Sequence, residues 1–379
     1  MNKKKIVIIG ANEFQNPLIL KAKEMGFETH VFAWECGDIG EKTADYFYPI
    51  SITEKEEILA KCREIHPTAV TSIGSDLAVV TVNYLAENLG LPSNGIETTK
   101  YTTNKYEMRC QLEKHGIPVP RFKKVSDISE IETAALRYPL IVKPTDRSGS
   151  RGVTKVFDAE ELKEAIEYGV KYSFEHAVII EDFLEGNEYS CESISYKGRH
   201  KLLTVTKKYT TGAPHYIETG HIEPADLSGE TYEKIDNIIN GALDALNITT
   251  GASHAEIKIN ENGEIGIIEI GARMGGDCIG SDLVYLSTGY DFLKMTIQAA
   301  CGIEPDMERK HEPSFSGIRF LFSEEDIKLM KEIEKQDPKF IRRSCVESER
   351  NKITDSSTRW GYFIMQSETP DKIIDAITK

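Results

Sequence analysis

The 379-residue sequence lacks any apolar run approaching the roughly 18 residues that cross a bilayer, which excludes a membrane span by hydropathy. Its opening MNKKKIVIIG has a basic start, but the apolar run ends at Ile9 and Glu13 soon follows. That segment reads as a first β-strand and not as a signal peptide. Seven cysteines (Cys36, Cys62, Cys110, Cys191, Cys278, Cys301 and Cys345) are scattered and never in CxxC spacing. Neither a disulfide framework nor a zinc site is suggested, and a reducing, cytoplasmic setting is expected. Positive charge is scarce as well: 46 basic against 61 acidic residues give a net charge of -15, with no Lys/Arg run beyond Lys3 to Lys5. Such a balance repels a phosphate backbone, so no nucleic-acid partner is expected. The loop GANEFQNP after the first strand has one glycine where a dinucleotide fingerprint needs three. No GK[ST] follows a glycine-rich loop, so a Walker sequence is absent too.

At this length the chain exceeds one ordinary domain and fits two or three. Strand KIVIIG, a helix around Asn16 to Met25 and strand ETHVFAW form a βαβ opening typical of a parallel sheet. A second cycle comprises helix Glu54 to Ile65, strand TAVTSI and helix Asp76 to Leu89, and the break GLPSNG puts the end of the first domain near residue 100. Helix Asn104 to His115 stops at GIPVPRF, where Gly116 and two prolines intervene. Strand LIVKP, a glycine and serine loop, helix Ala159 to Tyr168 and strand HAVIIEDFL then predict a small α+β lid over 101–188. Residues 189–310 read as a strand-rich core carrying helix Gly229 to Leu246. The stretch 311–379 holds strands near Ser316 to Phe322 and Trp360 to Gln366 and is expected to pack on that core.

The strongest local signal is ASHAEIKINENGEIGIIEIGARMGG, two alternating strands around Asn262-Gly263, the dipeptide that best supports a two-residue hairpin turn. That turn sets Glu261 opposite Glu264, Lys258 opposite Ile267 and Glu256 opposite Glu269. Two carboxylates held this close force one to take a proton unless a cation lies between them. A hard divalent ion answers that need, since magnesium takes one or two protein carboxylates and completes its shell with water and phosphates. The bland alternative is a solvated hairpin face on which Lys258 offsets the repulsion.

Arg273 and the glycines Gly275 and Gly276 come at once in GARMGG, offering a guanidinium fork and amides that an anion could approach closely. Upstream, Lys143 closes strand LIVKP, and burying its ammonium calls for an anion beside it. The next loop, TDRSGSRGV, holds Ser148, Gly149, Ser150 and Gly152, which could fold over phosphates or simply form a flexible turn. Glu181, Asp182, Phe183 and Leu184, with Glu188 beyond, could present backbone groups and a carboxylate to a base, an apolar wall, and an acceptor to ribose; a strand end with a polar turn is the alternative. In GAPHYIETGHIEPADL, His215, Glu218 and His221 lie within seven residues but not at helical zinc spacing. They are candidates to shape a substrate pocket, or to hold the loop by hydrogen bonds.

In this order the segments resemble the ATP-grasp superfamily, specifically its carboxylate-amine ligase branch, which includes bacterial L-amino acid ligases. The resemblance spans about residues 1–310 and loosens beyond. It implies an N-terminal parallel α/β (pre-ATP-grasp) domain followed by a two-lobed ATP-grasp fold, a multidomain mixture of α/β and α+β. It also implies that Lys105, in TTNKYEMRCQLEKHGIPVP, and Lys143 bind ATP phosphates, that SGSRGV is the phosphate flap, that Glu181 to Leu184 form the adenine hinge and that Glu188 meets the ribose. Glu256 and Glu269 match the Mg2+ ligands, with Mn2+ able to substitute, and Arg273 matches the arginine that steadies the transferred phosphoryl group. Gly271 departs from the family's EIN pattern, in which Asn is a further metal ligand, and this leaves a second magnesium less securely held. The implied reaction joins a small-molecule carboxylate to an amine through an acyl phosphate, releasing ADP. Homodimers are common among such relatives. Rival readings are a purine-pathway or carboxylase-like ATP-grasp enzyme and a non-catalytic ATP-binding regulatory module.

Overall fold

The computed structural model describes residues 3–131, 137–149, 151–212, 216–348 and 350–379. Strand β1 (Lys5–Ile9) is KIVII, with every residue after Lys5 buried, as a central parallel strand covered on both faces requires. It pairs in parallel with β2 (Glu28–Phe32) and β4 (Ala69–Thr71), while the short β3 (Tyr46–Tyr48) extends the far edge, giving the order β3-β2-β1-β4. Helices α1 (Asn16–Glu24), α2 (Ile39–Thr43) and α3 (Lys55–Ile65) connect these strands, and α4 (Asp76–Leu89) follows the last of them. Helix α3 buries Ile58, Leu59, Cys62 and Ile65, a stripe at helical spacing. The Ser75 hydroxyl accepts from Ala78 N at 3.3 Å and so caps α4, and Gly90 in the left-handed region ends it. The switch in strand order lies between β1 and β4, so the loop after β4 leaves the sheet edge and delivers Asp76, the first residue of α4, towards the rest of the chain.

Helix α5 (Gly95–Thr103) crosses residue 100 and packs against α4 and α6 (Lys105–Lys114), so no linker separates the first sheet from the lid. The lid is an antiparallel sheet of order β5-β8-β6-β7, made of β5 (Phe122–Val125), β6 (Leu140–Pro144), β7 (Thr154–Val156) and β8 (Val178–Asp182). Helix α7 (Ala159–Tyr172) presses Leu162, Ala165 and Ile166 onto it.

The third sheet has eight antiparallel strands in the order β13-β12-β9-β10-β11-β14-β16-β15. Strands β9 (Asn187–Tyr196), β10 (Arg199–Thr210), β11 (Glu218–Glu223), β12 (Thr250–Ile259) and β13 (Ile265–Gly271) build one half. Strands β14 (Phe315–Phe320), β15 (Ile341–Val346) and β16 (Gly361–Ser367) continue the same sheet through the β11–β14 pairing and do not merely lie against it. Helix α8 (Gly229–Ala245) buries Ile235, Ile239, Ala242 and Leu243 against the first half. Helices α9 (Val284–Thr288), α11 (Glu324–Gln336) and α12 (Asp371–Thr378) cover the remainder, while α10 (Phe292–Ala300) packs between β9 and β12 and the first domain's β4 and α1.

The hairpin β12–β13 pairs Glu256 with Glu269 as expected, but by a different route. Its loop spans three residues, 261–263: Gly263 N donates to Asn260 O at 3.0 Å, Asn260 N donates to Glu264 O at 3.1 Å, and Gly263 takes φ +74°. This is the turn with a left-handed glycine, not a two-residue turn, so Lys258 pairs with Gly266 and not with Ile267, and Glu261 lies in the loop rather than opposite Glu264. A bulge between Glu256 and Ile257 leaves Ile268 without a counterpart and shifts the register back by one residue.

Arg109 of α6 ties lid to core. It is 1% exposed, its Nε donates to Glu181 Oε1 at 2.5 Å, and its Nη2 donates to the carbonyl of the bulged Ile268 at 2.7 Å. Lys143 Nζ lies 2.6 Å from the other oxygen of Glu181. Burial opposes ionisation of Glu181, but Arg109 and Lys143 outweigh it and bring its pKa from the ordinary carboxylate value to about 2. A folded-state pKa depressed in this way stabilises the fold above the ordinary carboxylate range, and the contribution drains away as pH falls towards 2. Glu181→Gln strands two buried cations and is expected to cost about 3–5 kcal/mol at neutral pH. In urea denaturation the gap between the variant and the parent should narrow between about pH 5 and pH 2. A gap independent of pH contradicts the ion triad.

Candidate functional site

One cleft runs between the lid sheet, the hairpin end of the eight-stranded sheet and the first turn of α4. Its lining includes Lys105, Lys143, Ser148, Gly149, Glu181, Asp182, Phe183, Leu184, Glu188, Glu218, Glu256, Glu269 and Arg273, which the chain brings together from segments far apart in sequence. Gly152, His221, Gly275 and Gly276 lie off the lining, and Ser150 and His215 fall outside the described residues.

At the lid end the ammonium of Lys143 meets an anion, as burial demands, but that anion is Glu181. Burial is the main reason its pKa falls below the ordinary lysine value, and Arg109 and Lys105 add to the fall. The expectation that the hinge offers a free carboxylate to a base is therefore corrected: Glu181 is spent on Arg109 and Lys143, and Asp182 binds Arg121 through two contacts of 2.6 and 3.1 Å. What this segment presents is apolar. Lys155 Nζ sits 3.5 Å and Lys258 Nζ 4.5 Å from the centre of the Phe183 ring, so two cations bracket it.

Lys105 opens α6, where the Asn104 side chain accepts from Tyr106 N and Glu107 N at 3.1 and 3.2 Å. Its Nζ reaches Glu269 Oε1 at 2.8 Å and the Arg147 carbonyl of the flap at 2.6 Å. Opposite it, Lys208 of β10 places Nζ 2.7 Å from Glu256, 2.8 Å from Glu188 and 3.7 Å from Glu218. Burial lowers the pKa of Lys208, but these three carboxylates raise it well above the ordinary lysine value. His254 bonds Glu192 through Nδ1 and lies 3.6 Å from Glu256 through Nε2. Burial disfavours its charge, yet Glu192 and Glu256 hold its pKa at about 9, so it is an imidazolium near neutral pH. Burial likewise opposes ionisation of Glu256, and Lys208 and His254 carry it well below the usual range. Lys105, Lys208 and His254 therefore compensate the glutamate pair, while Lys258 has turned to Phe183.

Arg273 points back to the first domain, where its Nε and Nη2 donate to the Asp76 oxygens at 2.8 and 3.1 Å. The Gly275 amide is not open to a ligand, because it donates to Glu192 Oε2 at 3.0 Å, and a Cβ there would lie 2.6 Å from Glu192 Oε1. Glycine is thus required by close packing against the Glu192–His254 pair. His221 is fully buried behind the cleft, 3.7 Å from Asp277, with neither ring nitrogen hydrogen-bonded among the described residues. Asp277 in turn receives two bonds from Arg359, at 2.6 and 3.1 Å. Glu218 keeps its place at the cleft, where its carboxylate also accepts from the Ser356 hydroxyl.

Sequence reasoning missed Asp76, Arg109, Lys208, Glu192 and His254. Lys208 gave no signal of its own, because the alternation in LLTVTKKY puts it in phase with Thr204 and Thr206 and not with the apolar Val205 and Tyr209. The donor set suits magnesium: two carboxylates from opposed strands, with cations around them to receive phosphates.

Residues 136–282 match the ATP-grasp domain family model. Alanine–anticapsin ligase of Bacillus subtilis (strain 168) is 27% identical over 274 residues, 63% of this chain and 58% of that protein. The L-arginine-specific L-amino acid ligase of Bacillus subtilis is 25% identical over 246 residues, 62% of this chain and 59% of that one. The chain thus spans less than two thirds of the length of these curated relatives. L-amino acid ligase from Bacillus licheniformis has a TM-score of 0.83 at 24% identity, covering 99% of this chain and 96% of its own. Phosphoribosylglycinamide synthetase from Anaerococcus prevotii has a TM-score of 0.79 at 21% identity, with the same coverage. These likenesses to solved structures bear on the fold. Residues 136–282 thus match an ATP-grasp domain, and the chain is similar in sequence to bacterial amino acid ligases and in fold to solved ATP-grasp enzymes.

Proposed function

We propose that the chain is an ADP-forming carbon–nitrogen ligase that activates a small carboxylate, in our reading an amino acid, with ATP and joins it to an amine. The observation that carries this reading is the opposed pair Glu256 and Glu269, each held by a lysine, in one cleft with Lys143 and Arg273. Phosphoryl transfer needs positioning and neutralisation of charge more than covalent help, and no serine or cysteine nucleophile is called for. Lys105 and Lys143 would bind the phosphates, with the flap around Ser148 and Gly149 folding over them. Phe183 and Leu184 would wall the base, and Glu188 would accept from the ribose. Glu256 and Glu269 would hold magnesium, which when bound neutralises phosphate charge.

Arg273, whose fork Asp76 fixes from the first domain, would steady the transferred phosphoryl group and the acyl phosphate. The acceptor would lie towards Glu218 and Tyr216, with His221 shaping that wall from behind. Residues 101–188 would exclude water from the acyl phosphate on closing. The scattered, unpaired cysteines agree with a cytoplasmic setting. Among the described residues no helix is long and apolar enough to cross a membrane. Similarity to the amino acid ligases favours an amino acid over the bicarbonate or purine precursors of other ATP-grasp enzymes.

Screening pairs of amino acids for ATP-dependent phosphate release, with mass analysis of the product, tests the reading. A dipeptide-like amide and ADP are expected. Release that needs bicarbonate instead, or ATP binding without turnover by any pair, overturns it. Glu269→Ala is expected to stay folded and to lose magnesium-dependent ADP release, and undiminished turnover sinks the metal assignment. Arg273→Ala should lower kcat and kcat/KM together by about 10²–10³-fold, as for a donor used mainly in the transition state. A rise in KM at unchanged kcat would assign it to ground-state binding only.

A further inference from the structure

The two carboxylates given to the metal are already bonded to cations, and one of these is placed unusually. Lys208 Nζ lies 2.7 Å from Glu256 and 2.8 Å from Glu188, so a single ammonium joins the metal-site carboxylate to the one assigned to the ribose. Its side chain is 4% exposed, and Glu218 at 3.7 Å completes a ring of three carboxylates around it. The same oxygen of Glu256 also faces the His254 imidazolium at 3.6 Å. A divalent cation binding that oxygen would share it with the Lys208 ammonium 2.7 Å away, and two cations on one oxygen of a half-buried carboxylate repel. Buried as it is, Lys208 has nowhere to go except to another anion in the cleft.

We propose that Lys208 holds the place of the metal at Glu256, so that divalent-cation binding is an exchange in which a nucleotide phosphate takes over the ammonium. The inference rests on the metal assignment made under Proposed function and adds a coupling that the assignment alone does not contain. Nucleotide arrival loosens Lys208 twice: its ribose competes for Glu188, and its phosphates offer the ammonium a stronger anion. Lys105 stands in the same relation to Glu269 at 2.8 Å, though its flap contact to the Arg147 carbonyl shares the ammonium. Metal alone should therefore bind weakly, and metal and nucleotide should raise each other's affinity by one common factor. Lys208 thus binds the metal-site carboxylate and the nucleotide phosphate in turn, and is distinct from the groups that hold the metal.

Mn2+ is the probe, with free ion counted by electron paramagnetic resonance on the full chain, with and without ADP. The parent should bind Mn2+ weakly alone and tightly with ADP. Lys208→Met should bind Mn2+ about tenfold or more tighter without nucleotide and should lose most of the ADP effect, whereas Lys208→Arg should behave as the parent. Unchanged or weaker binding of Mn2+ alone to Lys208→Met overturns the exchange. Should that variant fail to fold, Glu188→Gln serves in its place. Leaving Lys208 wholly on Glu256, it should weaken Mn2+ binding without nucleotide, and unchanged or tighter binding is the contrary result. A parent that binds no Mn2+ even with ADP present overturns the metal assignment itself, and the exchange with it.

Discussion

Two glutamates face each other across a hairpin, and a lysine from a different part of the chain answers each of them. Most of the rest of the site depends on that compensation. Without Lys105 and Lys208 the opposed carboxylates would repel and one would take a proton, losing its use as a ligand for a hard cation. With them, the repulsion between the pair is offset inside the protein, and Glu256 is held well below the usual carboxylate range. The ring extends outward through His254 to Glu192 and through Glu192 to the Gly275 amide, so the electrostatics of the hairpin fix the backbone of the loop beyond it.

That ring also explains why three sheets act as one structure. Lys105 and Arg109 sit on one short helix, α6, a turn apart, and reach respectively the hairpin carboxylate Glu269 and the lid carboxylate Glu181. The bulge at Ile268 supplies the carbonyl that Arg109 needs, so the irregularity that sets the glutamates opposite each other also anchors the lid. Asp76 performs the corresponding service from the first domain by gripping Arg273. Buried ion pairs of this kind do little for net stability, because desolvation consumes most of their attraction, but they specify geometry where hydrophobic contact would allow sliding.

The long periodic elements were legible from the chain: β1, α3, α4, α7 and α8 all announce themselves by apolar spacing and capping residues. The glutamate pair was legible too, although by two departures that cancel. The turn is one residue longer than Asn262-Gly263 suggests, and the bulge at Ile268 returns the register. Strand β15 escaped because IRRSCV carries two adjacent arginines and is alternately exposed, as an edge strand can be, and α5 because its TTKYTT composition is poor in helix formers. The unforeseen site residues share a different cause. Asp76, Lys208 and Arg109 matter through partners 197, 48 and 72 positions away, and no local pattern encodes such distances. Glu181 shows the converse: its place in the cleft comes from its segment, but its commitment to two cations comes only from packing.

The eight-stranded sheet carries a consequence for how the molecule is made. Its hairpin end is assembled from residues 187–271, while its other end needs residues 315–367, and the two halves meet only where β14 pairs with β11. During synthesis the half that carries the candidate site therefore exists first, with β11 as an open edge whose unpaired amides and carbonyls invite foreign strands. A nascent chain stalled between residues 273 and 315 would hold all the residues that line the cleft and still be prone to aggregate. The last strands protect that edge, and the span of sequence they must cross before pairing makes them a slow step in maturation.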